Sequence, residues 1–234
     1  MTTLLRTALF ASVLLLSGCL RSATTVEVDE SGGGTATVVL AIDPVRTAEL
    51  AAETGGLAAS TLSAADNAQL CEQFRQLALP ANLPPSATVV DYDADGLCGH
   101  QIEFTFADGD ELAQTLDQVT GGQAGDLDRF VLAPEGDDWL FTAPLGGLST
   151  ALQSAASTFP PAVVDTALDN TAVSYELTLP GTAVEGANNA NEVDGGTFRW
   201  NVDAANPPDT LMARSTVAGG GSSLLPWILI GVGL

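Results

Sequence analysis

The residues with the most recognisable chemistry are three aspartates in the run Asp91-Tyr92-Asp93-Ala94-Asp95-Gly96. Hard cations need several converging oxygens, and a D-x-D-x-D-G run supplies three carboxylates and a turn-forming glycine, as a calcium loop does. The pattern then departs, because Glu103 lies at the thirteenth position rather than the twelfth and strand-like runs flank the motif. Asp91, Asp93 and Asp95 are therefore candidate calcium ligands. An Asp/Gly hairpin turn is the alternative, and we expect no other metal and no cofactor.

Hydrolytic chemistry has few residues available to it. His100 is the only histidine, and no G-x-S-x-G run accompanies the serines, which disfavours a Ser-His-Asp triad. The 29 acidic residues always permit a pair that acts on a glycosidic bond, but nothing in the sequence selects one. We therefore expect a protein that is not an enzyme, with a carboxylate-dependent cell-wall glycan hydrolase as the alternative.

The thiol of Cys19 is a third reactive group. Leu16-Ser17-Gly18-Cys19 matches the lipobox that bacteria use to diacylate a cysteine, and it follows Arg6 and the apolar run 7–16. Such a leader is typical of a secretory signal and is too short to cross a bilayer. We predict a signal peptide at 1–18, acylation of Cys19 with fatty acids such as palmitate, and a lipid-anchored domain on the extracytoplasmic side of the cell membrane. A plain secretory signal is the alternative.

The other two cysteines, Cys71 and Cys98, form an even pair in an exported chain. Oxidising compartments favour disulfides, so we predict a bond between them, with two buried free thiols as the alternative. Neither cysteine has basic neighbours that would lower a thiol pKa, which argues against a redox role.

The charge balance is strongly acidic. The chain has 29 Asp and Glu residues against seven basic ones, all of them arginines, and a net charge of −22. Such a balance excludes nucleic acid as a partner and disfavours electrostatic docking on anionic lipid headgroups. Hydrophobic residues nevertheless make up 46% of the chain and charged residues only 15%, so a packed core is expected.

The elements that would position these residues follow no strict βαβ order. Alternating and β-branched runs predict hairpins of 24–29 with 35–42, 87–92 with 101–106, 129–133 with 139–142 and 172–179 with 197–202, and a last strand at 209–217. Helices are predicted at 46–53, from Ser63 or Asp66 to Leu79 with the apolar stripe Leu70, Phe74, Leu77 and Ala78, and from Asp108 or Asp110 to Val119. Residues 144–159 read as a loop that Pro160-Pro161 ends. We predict an α+β fold, a mostly antiparallel sheet built from hairpins with about three helices packed on it.

Aromatic residues in the strand-like runs are expected in the core, namely Phe104, Phe106, Trp139, Phe141, Tyr175 and Trp200. After the predicted domain 19–217, a Gly/Ser spacer at 218–223 leads to an apolar segment at 224–234 that includes Trp227, Ile228, Leu229 and Ile230. Eleven helical residues rise about 16 Å, roughly half the hydrocarbon thickness. We expect this segment to be a membrane tail, either part of a transmembrane helix or a shallow insertion with Trp227 at the interface.

The layout resembles the LppM-domain lipoproteins of actinobacteria. A hairpin directly follows the lipobox, and the strand 102–106 is preceded by the run Tyr92-Asp93-Ala94-Asp95-Gly96-Leu97-Cys98-Gly99. The end of the domain is similar to that family's closing hairpin, in the segments Leu179-Pro180-Gly181 and Asp194-Gly195-Gly196-Thr197-Phe198-Arg199-Trp200. The resemblance implies an exported α+β domain, without catalytic residues to transfer, that engages membrane lipids or glycolipids.

We therefore expect a non-enzymatic envelope lipoprotein that binds a lipid, a glycolipid or another envelope protein. Its membrane partners would be the N-terminal lipid and the C-terminal tail. A purely structural spacer is a further alternative.

Overall fold

The computed structural model describes residues 20–53, 66–80, 83–120, 130–145 and 161–217. The predicted leader 1–18, the lipidation site Cys19, the spacer 218–223 and the tail 224–234, with Trp227, Ile228, Leu229 and Ile230, lie outside these ranges. Most of the predicted loop 144–159 lies outside them as well.

The described residues form eleven strands and four helices. The strands are β1 (Leu20–Val28), β2 (Gly34–Ile42), β3 (Thr88–Ala94), β4 (Leu97–Phe106), β5 (Val131–Glu135), β6 (Asp138–Pro144), β7 (Ala172–Thr178), β8 (Thr182–Ala183), β9 (Glu192–Asp194), β10 (Thr197–Val202) and β11 (Thr210–Thr216). The helices are α1 (Pro44–Glu53), α2 (Asn67–Ala78), α3 (Gly109–Val119) and α4 (Pro161–Asp169). The predicted α+β class is confirmed.

A large sheet of seven strands has the order β3-β4-β2-β1-β7-β10-β9. Its pairs are antiparallel except β1 with β7, which run parallel at the centre. The predicted hairpins β1-β2 and β3-β4 both form, and β7 pairs with β10 across the long connection. The mostly antiparallel character predicted from the hairpins is therefore confirmed, and the parallel pair joins the two halves of the chain.

A small sheet of four strands, in the order β5-β6-β11-β8, packs on one face of the large sheet. We call that face the inner face and the opposite one the outer face. Strand alternation turns apolar side chains such as Val38, Ile102 and Phe198 inward, where they are fully buried. They meet Leu211 and Ala213 of the small sheet and Leu112 of α3 in one core. The sequence predicted one sheet, and the pairing of the last strand with β6 divides it into two.

Helix α2 covers one end of the inner face. Its first backbone amides are capped by Asp66, which accepts a hydrogen bond from the N–H of Gln69, as the sequence predicts. Leu70, Phe74 and Ala78 are buried in a second, smaller core. Leu77, which the helical stripe placed with them, is 37% exposed because it lies at the solvent edge of that stripe.

Several boundaries differ from the prediction, since β1 already begins at Leu20 and β5 and β6 are shifted by one or two residues, and two further differences depend on turn and proline residues. The connection between β3 and β4, expected over 93–100, shrinks to the turn Asp95-Gly96, where both residues have positive φ (55° and 77°). That pattern is typical of a type I′ hairpin turn, whose twist matches the strands it joins. Pro160-Pro161 is predicted only to end the loop 144–159, whereas in the structure Pro161 is the first residue of α4. A proline suits the first position of a helix because its missing N–H has no intrahelical partner there.

Candidate functional site

The predicted aspartates come together with an arginine that the sequence did not single out. Asp91 and Asp93 lie on β3, and α2 places Arg75 beside them. A guanidinium nitrogen of Arg75 donates to Oδ1 of Asp93 at 2.6 Å, and its Nε lies 3.8 Å from Oδ1 of Asp91. The same Nε donates to the carbonyl of Gly99 at 3.3 Å. The side chain of Arg75 is only 17% exposed, so it clamps α2 onto the β3-β4 hairpin.

This arrangement gives the aspartates a structural role. Asp91 and Asp93 face Arg75 on the strand, whereas Asp95 lies in the turn that follows. Within the described ranges, no group of three or more His, Cys, Asp or Glu side chains is arranged to hold a metal ion. At Asp95-Gly96 the run forms the hairpin turn that the alternative interpretation describes.

His100 lies inside the same cluster. Its ring is buried, and Nε2 is 2.8 Å from the carbonyl of Arg75. A carbonyl only accepts, so Nε2 carries a proton. Nδ1 is buried without a hydrogen-bond partner and lies 3.6 Å from Oδ1 of Asp91. The hydrogen bond from Nε2 thus attaches the C-terminal half of α2 to β4. The carboxylate of Asp91 lies next to Nδ1 of the His100 ring.

The disulfide predicted between Cys71 and Cys98 is confirmed. It joins α2 to the second residue of β4, with the Cα atoms 5.7 Å apart. Cys98 is buried with Ile42, Leu70, Phe74 and Ala78, and Leu20 packs against this small core. One covalent bond, the Arg75 ion pairs and the His100 hydrogen bond therefore hold the helix at the end of the sheet where the described chain begins.

The chain enters and leaves the domain at opposite ends of the large sheet. Leu20 pairs with Ile42 at the end where β7 begins, since Arg21 is opposite Ala172. We call this the anchor end because Leu20 directly follows Cys19. The last described residue, Val217, donates its N–H to the carbonyl of Asp137.

Asp137 belongs to the β5-β6 turn, and that turn lies at the far end. Thr216 pairs with Thr182 of β8, which directly follows β7. Trp139, the neighbour of Ser215 across the β6-β11 pair, lies against Gly32 in the β1-β2 turn. The entry and exit of the chain are therefore separated by the length of β1.

The predicted core aromatics are buried, with one exception. Phe104, Phe106, Trp139, Phe141 and Trp200 lie in the core, whereas Tyr175 is half-buried against it. Burial nevertheless raises the pKa of Tyr175 to about 12. The Trp200 indole donates to Asn189 Oδ1 at 2.9 Å.

Asn189 is a structural residue that sequence reasoning missed. Its Oδ1 also accepts from the N–H of Met212 at 2.8 Å, and its Nδ2 donates to the carbonyl of Thr210 at 2.7 Å. It therefore links β10 of the large sheet to β11 of the small one. The sequence offers little indication of this role, because Asn189 lies in an Asn-rich connection between the predicted strands 172–179 and 197–202.

Arginine–carboxylate pairs recur elsewhere on the domain. Arg199 donates to Glu176 at 2.6 Å across β10 and β7, and this bond raises the arginine pKa further. Arg214 donates to Asp138 at 2.7 Å. Hydrogen bonding by Thr216, followed by Arg214, lowers the pKa of Asp138. The contacts of Asp138, which join neighbouring strands, favour its charged form.

No helix within the described ranges is long and apolar enough to cross a membrane. The apolar segment 224–234 is not part of those ranges.

Comparisons with known proteins agree with this architecture. The family model described as the LppM domain matches residues 21–216. The NMR structure of the folded domain of Mycobacterium tuberculosis LppM superposes with a TM-score of 0.53 at 14% sequence identity, covering 85% of this chain and 90% of that one. At that identity the likeness shows the fold alone. A search of curated proteins gave no match. Because the family model spans the described domain from β1 to β11, the chain belongs to the LppM domain family.

Proposed function

We propose that this chain is a membrane-anchored envelope lipoprotein that binds lipid or glycolipid at the membrane surface and has no catalytic activity. The observation that carries the proposal is the position of β1, which begins at Leu20, directly after the lipobox cysteine. No linker separates the predicted acyl chains from the folded domain, so acylation of Cys19 would hold the domain against the lipid headgroups.

The engagement of the polar residues supports a binding role rather than catalysis. Asp91 and Asp93 face Arg75, Glu176 is bound to Arg199, and the sole histidine donates to a backbone carbonyl. Carboxylates that serve as general acids or nucleophiles need a reacting group within hydrogen-bond reach. These carboxylates instead meet arginines that join elements of the fold.

Insertion of the predicted tail 224–234 into the same membrane as the N-terminal lipid limits how the domain can be oriented. Nine residues of β1 rise about 26 Å, and the seven steps from Val217 to Leu224 span at most about 25 Å. With β1 upright on the membrane, the spacer 218–223 would have to be almost fully stretched for the tail to enter the same leaflet. Insertion of both ends therefore favours a tilted domain.

Acylation is tested in the bacterial host that processes the lipobox. We expect the full chain to incorporate a palmitate analogue and to sediment with membranes, whereas Cys19→Ser incorporates none and keeps its leader. Equal labelling of both variants would contradict the anchor.

Ligand binding is tested on the acylated chain purified in mild detergent and exposed to an envelope lipid extract. We expect mass spectrometry to find a lipid or glycolipid retained above the level of an unrelated acylated lipoprotein. No enrichment would contradict the binding role. Release of reducing sugars from cell-wall polymer by the same preparation would favour the hydrolase alternative.

A further inference from the structure

On the outer face of the large sheet, the acidic strand residues are confined to one half of the face. The register divides it into cross-strand rows that run from β3 to β10. The row at the anchor end contains Arg21 between Ala41 and Ala172, and the next row contains Ala23 between Val39 and Ser174. We call these two rows the anchor-side rows. Their members on β3, β4 and β10 likewise include no Asp or Glu.

The far half of the same face is acidic. Glu103 and Glu176 lie in the third row, and Glu27 lies in the fourth. A chain with 29 acidic residues thus has two adjacent rows of strand residues whose single charge is positive. The acidic balance that disfavours docking on anionic headgroups is therefore absent from the strand residues of these two rows.

The connections at the anchor end contain exposed Asp95 and Asp169 and two further aspartates, Asp43 and Asp203, which follow strands and are engaged locally. Asp43 accepts hydrogen bonds from the N–H groups of Val45 and Arg46 at the start of α1. Asp203 accepts one from the N–H of Ala205, and this bond is the main cause of its lowered pKa. Their charges face helix or turn amides, which offset them.

Arg21 differs from the other arginines in the described ranges. Those four have carboxylate partners within 4.0 Å, namely Arg46, Arg75, Arg199 and Arg214. Arg21 is exposed and has no carboxylate of a described residue within that distance. Its neighbours in the row are alanines, which neither pair with the guanidinium nor cover it. A planar guanidinium in this state is suited to bind a phosphate in a bidentate manner.

The position of Arg21 in the chain identifies the phosphate. Arg21 is two residues from Cys19, a span of at most about 7 Å. That is within the Debye length of about 8 Å, so the guanidinium would feel the headgroup charge around an acylated Cys19. Glu27 is six residues further along β1, about 20 Å away, where this potential is screened.

We infer that the anchor-side rows of the outer face are the surface with which the domain lies on the membrane, with Arg21 bound to a phospholipid phosphate beside the anchor. This inference rests on the proposed function and specifies the surface that makes the contact. The inner side of the same end is less suitable, because Asp91 and Asp93 expose 63% and 67% of their side chains there. The domain therefore tilts towards its outer face, where the exposed members of the anchor-side rows other than Arg21, namely Ala172, Val90 and Asn201, are uncharged.

Two labelling positions on the outer face test the inference in the full acylated chain. Val90 is 49% exposed in the second anchor-side row, and Thr35 is exposed in the fourth row. A single environment-sensitive fluorophore is placed through Val90→Cys or Thr35→Cys, and the protein is reconstituted in vesicles of equal parts phosphatidylcholine and phosphatidylglycerol. We expect a nitroxide headgroup lipid to quench the label at 90 several-fold more than the label at 35.

Charge variants test the role of the arginine. One arginine near an anionic surface is worth about 1 kcal/mol, so Arg21→Gln should lower the fraction of labels at 90 in contact by about fivefold. Arg199→Gln removes a positive charge from the far half of the same face and serves as the matched control, with no expected change at 90. In vesicles of phosphatidylcholine alone, which retain the phosphate, the label at 90 should still be quenched more than the label at 35, and equal quenching there would contradict binding of Arg21 to the phosphate.

The outcomes separate the two proposals. A chain that does not float with vesicles contradicts the anchor and hence the proposed function. A chain that floats but shows equal quenching at 90 and 35, or no loss with Arg21→Gln, retains its anchor and overturns the inference.

Discussion

Loss of the Cys71–Cys98 bond should be the most damaging single covalent change to this domain. The bond ties α2 to β4, and the remaining attachments are the three apolar side chains Leu70, Phe74 and Ala78, the His100 hydrogen bond and the Arg75 pairs. The aspartates in those pairs are more than 60% exposed. Exposed ion pairs contribute at most about 1 kcal/mol each. The disulfide therefore dominates the polar and covalent contacts of the helix.

The magnitude follows from the loop that the bond closes. The two cysteines are 27 positions apart. Closing a loop of that length removes about 12 cal/mol/K of entropy from the unfolded chain, or about 3.6 kcal/mol at 25 °C. For a domain of about 200 residues, each kcal/mol shifts Tm by roughly 2–4 °C. Loss of the bond should therefore lower Tm by roughly 7–14 °C.

The assay is thermal unfolding of the acylated chain in mild detergent, followed by near-ultraviolet circular dichroism. With Cys19 acylated as proposed, Cys71 and Cys98 are the reducible pair, so the wild type is compared with and without reductant. A Cys71→Ala/Cys98→Ala variant is the control, and its Tm should be low and insensitive to reductant. A wild-type Tm that falls by less than about 2 °C on verified reduction would refute the reasoning from loop closure.

Two further predictions concern the half-buried tyrosine and one turn. Because the folded-state pKa of Tyr175, about 12, exceeds its ordinary value of 10.0, its stabilising contribution is complete below pH 10 and is lost as pH rises towards 12, by up to about 3 kcal/mol. Alkaline unfolding curves should show this loss in the wild type and not in Tyr175→Phe, and parallel curves would disprove it. Gly181 has φ +89° and a Cβ there would strike the Thr216 carbonyl, so Gly181→Ala should cost on the order of 3 kcal/mol in urea denaturation. Gly186 has φ +71° and open space around it, so Gly186→Ala should cost only about 1 kcal/mol. Equal losses in the two variants would show that the positive φ, and not the clash with Thr216, sets the loss of stability.

Local signals in the sequence were sufficient for most of the fold. The β1-β2 and β3-β4 hairpins depend on turn residues and alternation within a few positions, and the caps Asp66 and Asp108 lie next to the helices that they begin. Helix α4 was missed because Pro160-Pro161 signals both the end of one element and the first turn of another. Proline fixes only its own φ, so it cannot by itself distinguish these cases.

The candidate site was less accessible to sequence reasoning. The disulfide followed from counting cysteines in a chain predicted to be exported, and the D-x-D-x-D-G run was recognised as either a cation loop or a turn. Arg75, the ion-pair partner of two of its aspartates, is 16 residues before Asp91 and on another element. Only the packing of α2 on β4 brings the two together.

The sequence by itself determined the lipobox, the alternation of the strands, the pair of cysteines and the acidic balance, because each is expressed in residue types or in spacings of a few positions. The tertiary structure decided which carboxylates meet arginines, that the last strand joins a second sheet, and that Arg21, between Ala41 and Ala172, has no ion-pair partner in the described part of the chain. The parallel pairing of β1 with β7 joins residues about 150 positions apart in the chain. Such contacts depend on how whole elements pack, and no local pattern of residues specifies them.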